Sequence, residues 1–211
     1  SNNAESSGTV LASTSLSAIN VEYDSQDYYF DWKSQSYKTI NLGSDSSEIT
    51  QSGVYEIKGT LSDSSLTVDV DKSKDDGIVY LVLNGANITS SNSAPIYIKN
   101  AKKVVIILEN GSENTVSQGS SVQVNDDNEP SAAIFSKSDL TITGGGKLSV
   151  TSDYNDGITS KDELKITDGT LVIKAKADGI VGKDLLAVEK GNITVTAGKD
   201  GMRSTNETES D

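Results

Sequence analysis

The stretch that decides the fold is residues 156–202, which read DGITSKDELKITDGTLVIKAKA, then DGIVGKDLLAVEKGNITVTAGK, then DGM. The Asp-Gly pair recurs at a spacing of 22 residues. An earlier segment, residues 134–145, matches residues 158–169 at a spacing of 24. A period of this length is the signature of a solenoid. Apolar positions also repeat at 22, and they are Ile158 with Ile180, Leu164 with Leu186, Ile166 with Val188, Leu171 with Ile193 and Ile173 with Val195.

The pattern inside one repeat indicates which solenoid this is. Each repeat contains three short alternating apolar segments, separated by turn-forming pairs such as Lys-Asp and Asp-Gly. Val, Ile and Thr dominate these segments, and no segment is long enough for a helix of about ten residues. Three strands in about 22 residues predict an all-β, single-stranded parallel β-helix whose coils stack about 4.8 Å apart. About seven such coils fit between residues 40 and 205.

Composition excludes several classes of function. The 211 residues include 31 acidic and 18 basic side chains, a net charge of −13, and neither cysteine nor histidine. Ser-His-Asp or Cys-His catalysis, ordinary zinc sites and disulfides are therefore excluded. The negative charge argues against partners such as nucleic acid or anionic membranes. The longest apolar run, residues 78–83, is far shorter than the ~20 residues that span a bilayer.

The amino-terminal part of the chain differs from the repeats. Residues 1–20 are rich in Ser, Ala and Asn, which predicts a flexible tether before a β-helix domain at 21–211. Residues 23–37 then contain six aromatic side chains, including Trp32. A repeat array needs a cap at its open end, so we predict that residues 21–39 form this cap. The alternative is a platform on which sugar rings stack, which exposed aromatic side chains would favour.

Equivalent aspartates of successive coils should form columns with backbones about 5 Å apart. Two carboxylates at that distance repel each other by about 3 kcal/mol at an effective dielectric constant near 20. One interpretation is structural: each Asp-Gly forms a turn in which glycine supplies a positive φ. The other places Ca²⁺ between the coils. The candidate ligands are Asp156, Asp178 and Asp200 in a first column, with Asp153 and Asn155 beside it, and Asp162 and Asp184 in a second column that Asp139 extends.

Three segments resemble a family of secreted bacterial carbohydrate-binding β-helix proteins. They are PSAAIFSK at 130–137, YNDGI at 154–158 followed by SKD, and the Asp-Gly-Ile repeats. The best-known member of that family is a cell-surface protein of a cellulose-degrading clostridium that binds cellulose and polygalacturonic acid. The resemblance implies a right-handed coil, bound calcium and a fold related to pectate lyases. It also leads us to expect a further coil after Asn206, in a longer natural chain, or a partner that covers the open edge.

Three functions follow as hypotheses. The first is a non-catalytic, calcium-binding protein of the bacterial cell surface that binds plant cell-wall cellulose and polygalacturonate, with Ca²⁺ bridging the acidic chain to a polyanion. The second is a calcium-dependent pectate lyase, although neighbouring aspartates should keep its candidate lysine bases protonated. The third is a structural surface adhesin. The candidate carbohydrate-binding residues are Lys161, Lys183, Arg203, Tyr154 and Trp32.

Overall fold

The computed structural model describes the backbone of residues 6–11 and all of residues 21–205. Within these residues the helical segments are two 3₁₀ turns, Ser25–Asp27 and Trp32–Ser34. None of them is long or apolar enough to cross a membrane. The strands are β1 Ser6–Leu11, β2 Tyr37–Leu42, β3 Glu48–Ile49, β4 Gly53–Leu61, β5 Leu66–Asp69, β6 Ile78–Ser90, β7 Ile96–Asn100, β8 Lys103–Leu108, β9 Glu113–Gln118, β10 Ala132–Ser136, β11 Asp139–Thr143, β12 Lys147–Ser152, β13 Asp156–Ser160, β14 Glu163–Ile166, β15 Thr170–Ala175, β16 Ile180–Gly182, β17 Leu185–Val188, β18 Asn192–Ala197 and β19 Met202–Ser204.

These strands form two sheets whose neighbours are mostly parallel. The small sheet has seven strands in the order β19-β16-β13-β10-β7-β5-β3. The large sheet has twelve strands, and its main path is β1-β18-β15-β12-β9-β6-β8-β11-β14-β17. Strand β6 joins the two halves of the large sheet, because its first half pairs with β8 and its second half with β9. The arrangement is compatible with a β-solenoid.

The strand register confirms the stacking predicted from the period. Ile158 pairs with Ile180 in the small sheet, and Leu164 pairs with Leu186 in the large sheet. Leu171 pairs with Ile193 on the other branch of the large sheet. The small sheet takes one strand from each repeat, so its seven strands agree with the expected number of coils.

Columns of apolar side chains fill the interior. Along the small sheet Ile96, Ile134, Ile158 and Ile180 lie one above another and are fully buried. The burial of each such side chain contributes about 1.5–3 kcal/mol to the stability of the fold. The stacked positions that recur in the sequence therefore form the core.

The glycine of the Asp-Gly repeat has a different role from the one expected. At Gly157 an added Cβ would lie 2.6 Å from the carbonyl oxygen of Gly179 in the next coil. Neither Gly157 nor Gly179 has a positive φ. A side chain at this corner would push the coils apart, so close approach explains the glycine better than turn geometry does.

The amino-terminal residues contact the last coils. Within residues 1–20, expected to be a tether, residues 6–11 form β1 and pair antiparallel with β18. Residues 1–5 and 12–20 lie outside the described residues, as do residues 206–211, where a further coil was expected to follow.

The aromatic segment covers the side of the solenoid rather than an end. We call residues 21–36 the strap. Its Trp32 is 1% exposed and packs against Val82, Val105 and Ile107 on the outer face of the large sheet. Residues 78–83 and 104–108 are apolar without alternation, which is typical of strands buried on both faces. The aromatic segment is therefore not the predicted end cap. It covers the outward apolar side chains of the large sheet, which would otherwise be exposed to solvent.

Candidate functional site

The first aspartate column is satisfied by the protein itself. Asp156 Oδ1 accepts the backbone N–H of Asp178 at 3.0 Å, and Asp178 Oδ1 accepts that of Asp200 at 3.0 Å. The Arg203 guanidinium forms an ion pair with Asp178 Oδ2 at 2.8 Å, and the Thr159 hydroxyl donates to Asp156 Oδ2 at 3.1 Å. Each carboxylate therefore holds the next coil in place, as a side-chain extension of the sheet ladder.

Burial accounts for the electrostatics of this column. Asp156 and Asp178 are 7% and 4% exposed, whereas Asp200 is exposed. Burial raises the pKa of Asp156, the negative charge of Asp178 raises it further, and the hydrogen bond from the Asp178 amide opposes both. Arg203 supplies a positive charge to this column, beside Asp178.

The second column is less well compensated. Asp139 Oδ1 accepts the backbone N–H of Glu163 at 3.1 Å, but the carboxylate of Asp162 accepts no hydrogen bond from any described residue. Burial raises the pKa of Asp162, and the negative charges of Asp139 and Asp184 raise it further. The positive charges of Lys72 and Lys161 counter this only in part. A cation would relieve this repulsion.

The remaining predicted calcium ligands lie at the corner before β13. The Asn155 side-chain amide donates to the carbonyl oxygen of Ser131 at 2.7 Å. The Asp153 side chain is exposed and has no ion pair with any described residue. Among the described residues, no group of three or more acidic side chains has the geometry of a metal site.

The structure disperses the predicted carbohydrate-binding residues. Trp32 is buried and its indole N–H donates to Glu109, so its faces are not available to a sugar. Arg203 is held by Asp178 in the first column. Lys183 is exposed and Tyr154 is half-buried. These side chains do not form one site.

Lys161 is fixed by a buried carboxylate. Its ammonium lies 3.0 Å from Glu129 Oε1, and Glu129 is 5% exposed. The other oxygen of Glu129 is buried without a hydrogen-bond partner in the described residues. The hydrogen bond to Glu129 is the main reason why the pKa of Lys161 is raised. A lysine that removes a proton near neutral pH needs a lowered pKa, so Lys161 is poorly suited to be a base.

A buried charge network fastens the strap to the large sheet. Asp27 is fully buried and accepts hydrogen bonds from Lys103 at 2.7 Å and Thr141 at 2.6 Å. Lys165 lies 3.7 Å from the same carboxylate. Burial alone would raise the pKa of Asp27, but the bonds from Lys103 and Thr141 outweigh it and the pKa is lowered. Asp27 therefore remains ionised between two lysines.

Tyrosines on the strap present exposed rings. Tyr28 and Tyr29 are 38% and 39% exposed. Their hydroxyls donate to Glu189 at 2.7 Å and Glu109 at 2.9 Å. The bond to Glu189 raises the pKa of Tyr28 to about 12. The hydroxyl bonds hold the two rings in place while part of each ring stays exposed to solvent. Exposed rings are what the interpretation as a sugar-stacking platform requires.

A polar cleft lies between the strap and the large sheet. It has a volume of about 570 Å³, and a second cleft of about 450 Å³ adjoins it. Both are lined by Asp24, Glu163 and Lys165, so they form one continuous groove. Other lining residues of the larger cleft include Asp76, Tyr80, Lys102, Lys103 and Asp139.

Sequence reasoning missed this cleft. Tyr80, Lys102 and Asp139 belong to three different coils, and the strap that completes the wall was expected at an end of the rod. The signal that could have revealed it is the apolar run at residues 78–83, which shows no alternation with polar residues. Such a run indicates that another segment packs on the outer face of the sheet.

Comparison with known proteins identifies the family. The model of a family described as carbohydrate-binding domain-containing protein matches residues 44–211. The match covers well over half of the chain, which therefore belongs to this family.

Two relatives are similar to the chain. A carbohydrate-binding domain-containing protein of Acetivibrio thermocellus is 41% identical over 130 residues, which are 61% of this chain and 44% of the relative. A solved structure described as the polysaccharide lyase-like protein from C. thermocellum, gadolinium derivative, has a TM-score of 0.73 and 41% identity. The match covers 77% of this chain and 65% of the chain in the solved structure. The chain thus spans less than two thirds of the length of each relative.

Proposed function

We propose that this member of the carbohydrate-binding domain family is a non-catalytic, calcium-binding protein that binds plant cell-wall polysaccharide outside the bacterial cell, at its surface. The family match over residues 44–211 carries the proposal, because it spans nearly all of the stacked strands. The exposed, anchored tyrosines and the polar cleft are consistent with binding of a hydroxyl-rich chain.

We assign the solenoid a right-handed coil. Crossovers between parallel strands of one sheet are right-handed in about 98% of cases, because of the intrinsic twist of strands. The similarity to the solved relative, with a TM-score of 0.73, supports the same overall path of the chain.

The second aspartate column suits calcium better than the first. The Asp162 carboxylate would supply one of the oxygen ligands that Ca²⁺ prefers, with backbone carbonyls and water as the others, and the ion would offset the repulsion that Asp139 and Asp184 exert on Asp162. In the first column Arg203 and backbone amides already play this part.

Two kinds of polysaccharide fit this arrangement. A chain with net charge −13 repels polygalacturonate unless a divalent cation bridges the two sets of carboxylates. Cellulose is neutral and meets no such barrier. We therefore expect calcium-dependent binding of polygalacturonate and calcium-independent binding of cellulose.

Proton abstraction is poorly supported by the candidate bases. The raised pKa of Lys161 and the ion pair of Arg203 with Asp178 leave Lys183 as the remaining residue of the predicted set, and Lys183 lies exposed to solvent. Elimination chemistry on a uronate is therefore not proposed for this chain.

Pull-down on insoluble cellulose and calcium-crosslinked polygalacturonate, each with and without EDTA, tests the proposal. Binding to both, with only polygalacturonate binding lost in EDTA, is expected. The Asp162→Asn variant should lose polygalacturonate binding, whereas the exposed Asp153→Asn control should keep it. Absence of binding to either polymer would favour a structural adhesin. Release of an unsaturated product absorbing in the ultraviolet would identify a lyase instead.

A further inference from the structure

We infer that the groove between the strap and the large sheet is the binding site for a neutral polysaccharide chain, and that it works without calcium. The inference rests on the proposed function and locates the binding of neutral polysaccharide in this groove. Polar groups without partners, the distribution of charge and the two aromatic walls all point to this class of ligand.

Hydrogen-bonding groups in the groove are left unused by the protein. The hydroxyls of Tyr23 and Tyr80 donate to none of the described residues, whereas those of Tyr28 and Tyr29 on the same strap have carboxylate partners. Lys102 is exposed and forms no ion pair with the described part of the chain. These donors are of the kind that sugar hydroxyl and ring oxygens accept.

The charge of the groove favours a neutral ligand over a polyanion. Two of its three lysines, Lys103 and Lys165, already contact the buried Asp27, at 2.7 and 3.7 Å. Lys102 is then the remaining cation, and it faces an excess of acidic side chains. A polyuronate would be repelled here, whereas sugar hydroxyls can donate to carboxylates. The acidic lining residues of the larger cleft are Asp24, Asp76, Asp139 and Glu163.

The aromatic walls are held in place. Tyr80 is half-buried, and the ring of Phe30 lies edge-on to it with centroids 4.9 Å apart. Tyr23 lies 6.3 Å from Tyr28 between ring centroids, with the Lys165 ammonium 5.6 Å from its ring centre. Rigid tyrosines offer an apolar face together with a polar tip and lose little entropy when a ligand binds. The C–H faces of a neutral glucan match such rings.

Calorimetric titration of the full chain with cellohexaose, in EDTA, tests the assignment. Two double variants report on the groove: Tyr23→Ala with Tyr80→Phe removes the ring of Tyr23 and both tyrosine hydroxyls, and Lys102→Ala with Asp76→Ala changes only exposed side chains. Each should lower the association constant about tenfold or more. Tyr154→Ala, a half-buried tyrosine that does not line the groove, is the matched control and should bind as the unmodified chain does.

The outcomes separate the inference from the proposed function. If the unmodified chain binds cellohexaose and both groove variants bind it equally well, the groove assignment fails while polysaccharide binding stands. Loss of cellohexaose binding in EDTA, or through Tyr154→Ala alone, would also overturn it. If the chain binds neither cellohexaose nor polygalacturonate, both proposals fail. Should the tyrosine variant melt at a lower temperature, the Lys102 and Asp76 variant decides.

Discussion

Two columns of aspartates lie one corner apart on the same stack of coils, yet their surroundings differ. In the first, the carboxylates of Asp156 and Asp178 accept the amide N–H of the next aspartate, and Arg203 adds a positive charge. In the second, Asp162 accepts no hydrogen bond from the described residues, and its neighbours Asp139 and Asp184 raise its pKa beyond the effect of burial. The same repeat therefore produces one column that is tied together by hydrogen bonds and one in which the charge of Asp162 is compensated only in part.

The difference teaches that stacking alone does not define a metal site. Asp156, Asp178 and Asp200 are spaced by 22 residues, as are Asp162 and Asp184, so the repulsion predicted from the period is the same for these pairs. What distinguishes them is the supply of donors from the protein. Amides and a guanidinium around the first column strengthen the fold, whereas the Asp162 carboxylate, which accepts no hydrogen bond from the described residues, is the better candidate to bind Ca²⁺.

The largest expected effect is stabilisation by calcium through the second column. Ca²⁺ at a hundred times its Kd should stabilise the fold by about 2.7 kcal/mol, because it binds only the folded chain. Asp162→Asn should remove most of this effect, and Asp178→Asn should retain it. Differential scanning calorimetry with and without calcium measures both. A calcium effect that Asp178→Asn abolishes would instead assign the ion to the first column.

A second prediction concerns the first column without calcium. Asp178→Ala should lower the free energy of unfolding by about 2 kcal/mol, because it removes a buried acceptor and leaves the Asp200 amide and Arg203 without their partner. Asp162→Ala is the matched control and should change stability by less than half as much. Urea unfolding measures the difference. Equal losses would show that the two columns are equivalent, which contradicts the comparison.

The third prediction is a pH dependence that arises at Asp162 in the second column. Because the folded-state pKa of Asp162 is raised, its ionisation costs stability, and this cost appears as the pH rises from the unfolded pKa through the folded one. In EDTA, Asp162→Asn should therefore be more stable than the unmodified chain at pH 7. The advantage should disappear on acidification to about pH 3.5, below the usual pKa of aspartate. An advantage that is constant with pH would argue against a charge effect.

The smallest expected effect on stability is that of removing the Arg203 charge at the solvent-exposed end of the first column. Arg203 is half-exposed and its pair with Asp178 is screened by solvent, so Arg203→Gln should cost less than about 1 kcal/mol. The loss should shrink further in 1 M NaCl. Urea unfolding at two salt concentrations measures it. Lys183→Gln, which removes an exposed cation from the preceding coil, serves as the control. A loss well above 1 kcal/mol would mean that Arg203 is essential to the column.

Sequence reasoning succeeded where the period of the chain was itself the signal. The pairing of Leu164 with Leu186 and of Leu171 with Ile193 could be read from the 22-residue spacing, and the register confirms it. The positions of Trp32 and Asp27 could not, because each contacts residues 50 to 140 positions away that share no motif with the strap. The groove could not be predicted for the same reason, because its lining residues come from segments that are far apart in the sequence.

The sequence by itself determined the parallel stacking, the core columns and the vertical alignment of aspartates, since all three follow from a repeat period that each coil imposes on the next. Only the tertiary structure decided which aspartates are neutralised, where the aromatic segment lies and which polar groups remain without partners. Those outcomes depend on contacts between segments that have no common period. Their physical basis is the burial of an apolar outer face by the strap and the balance of donors around each carboxylate.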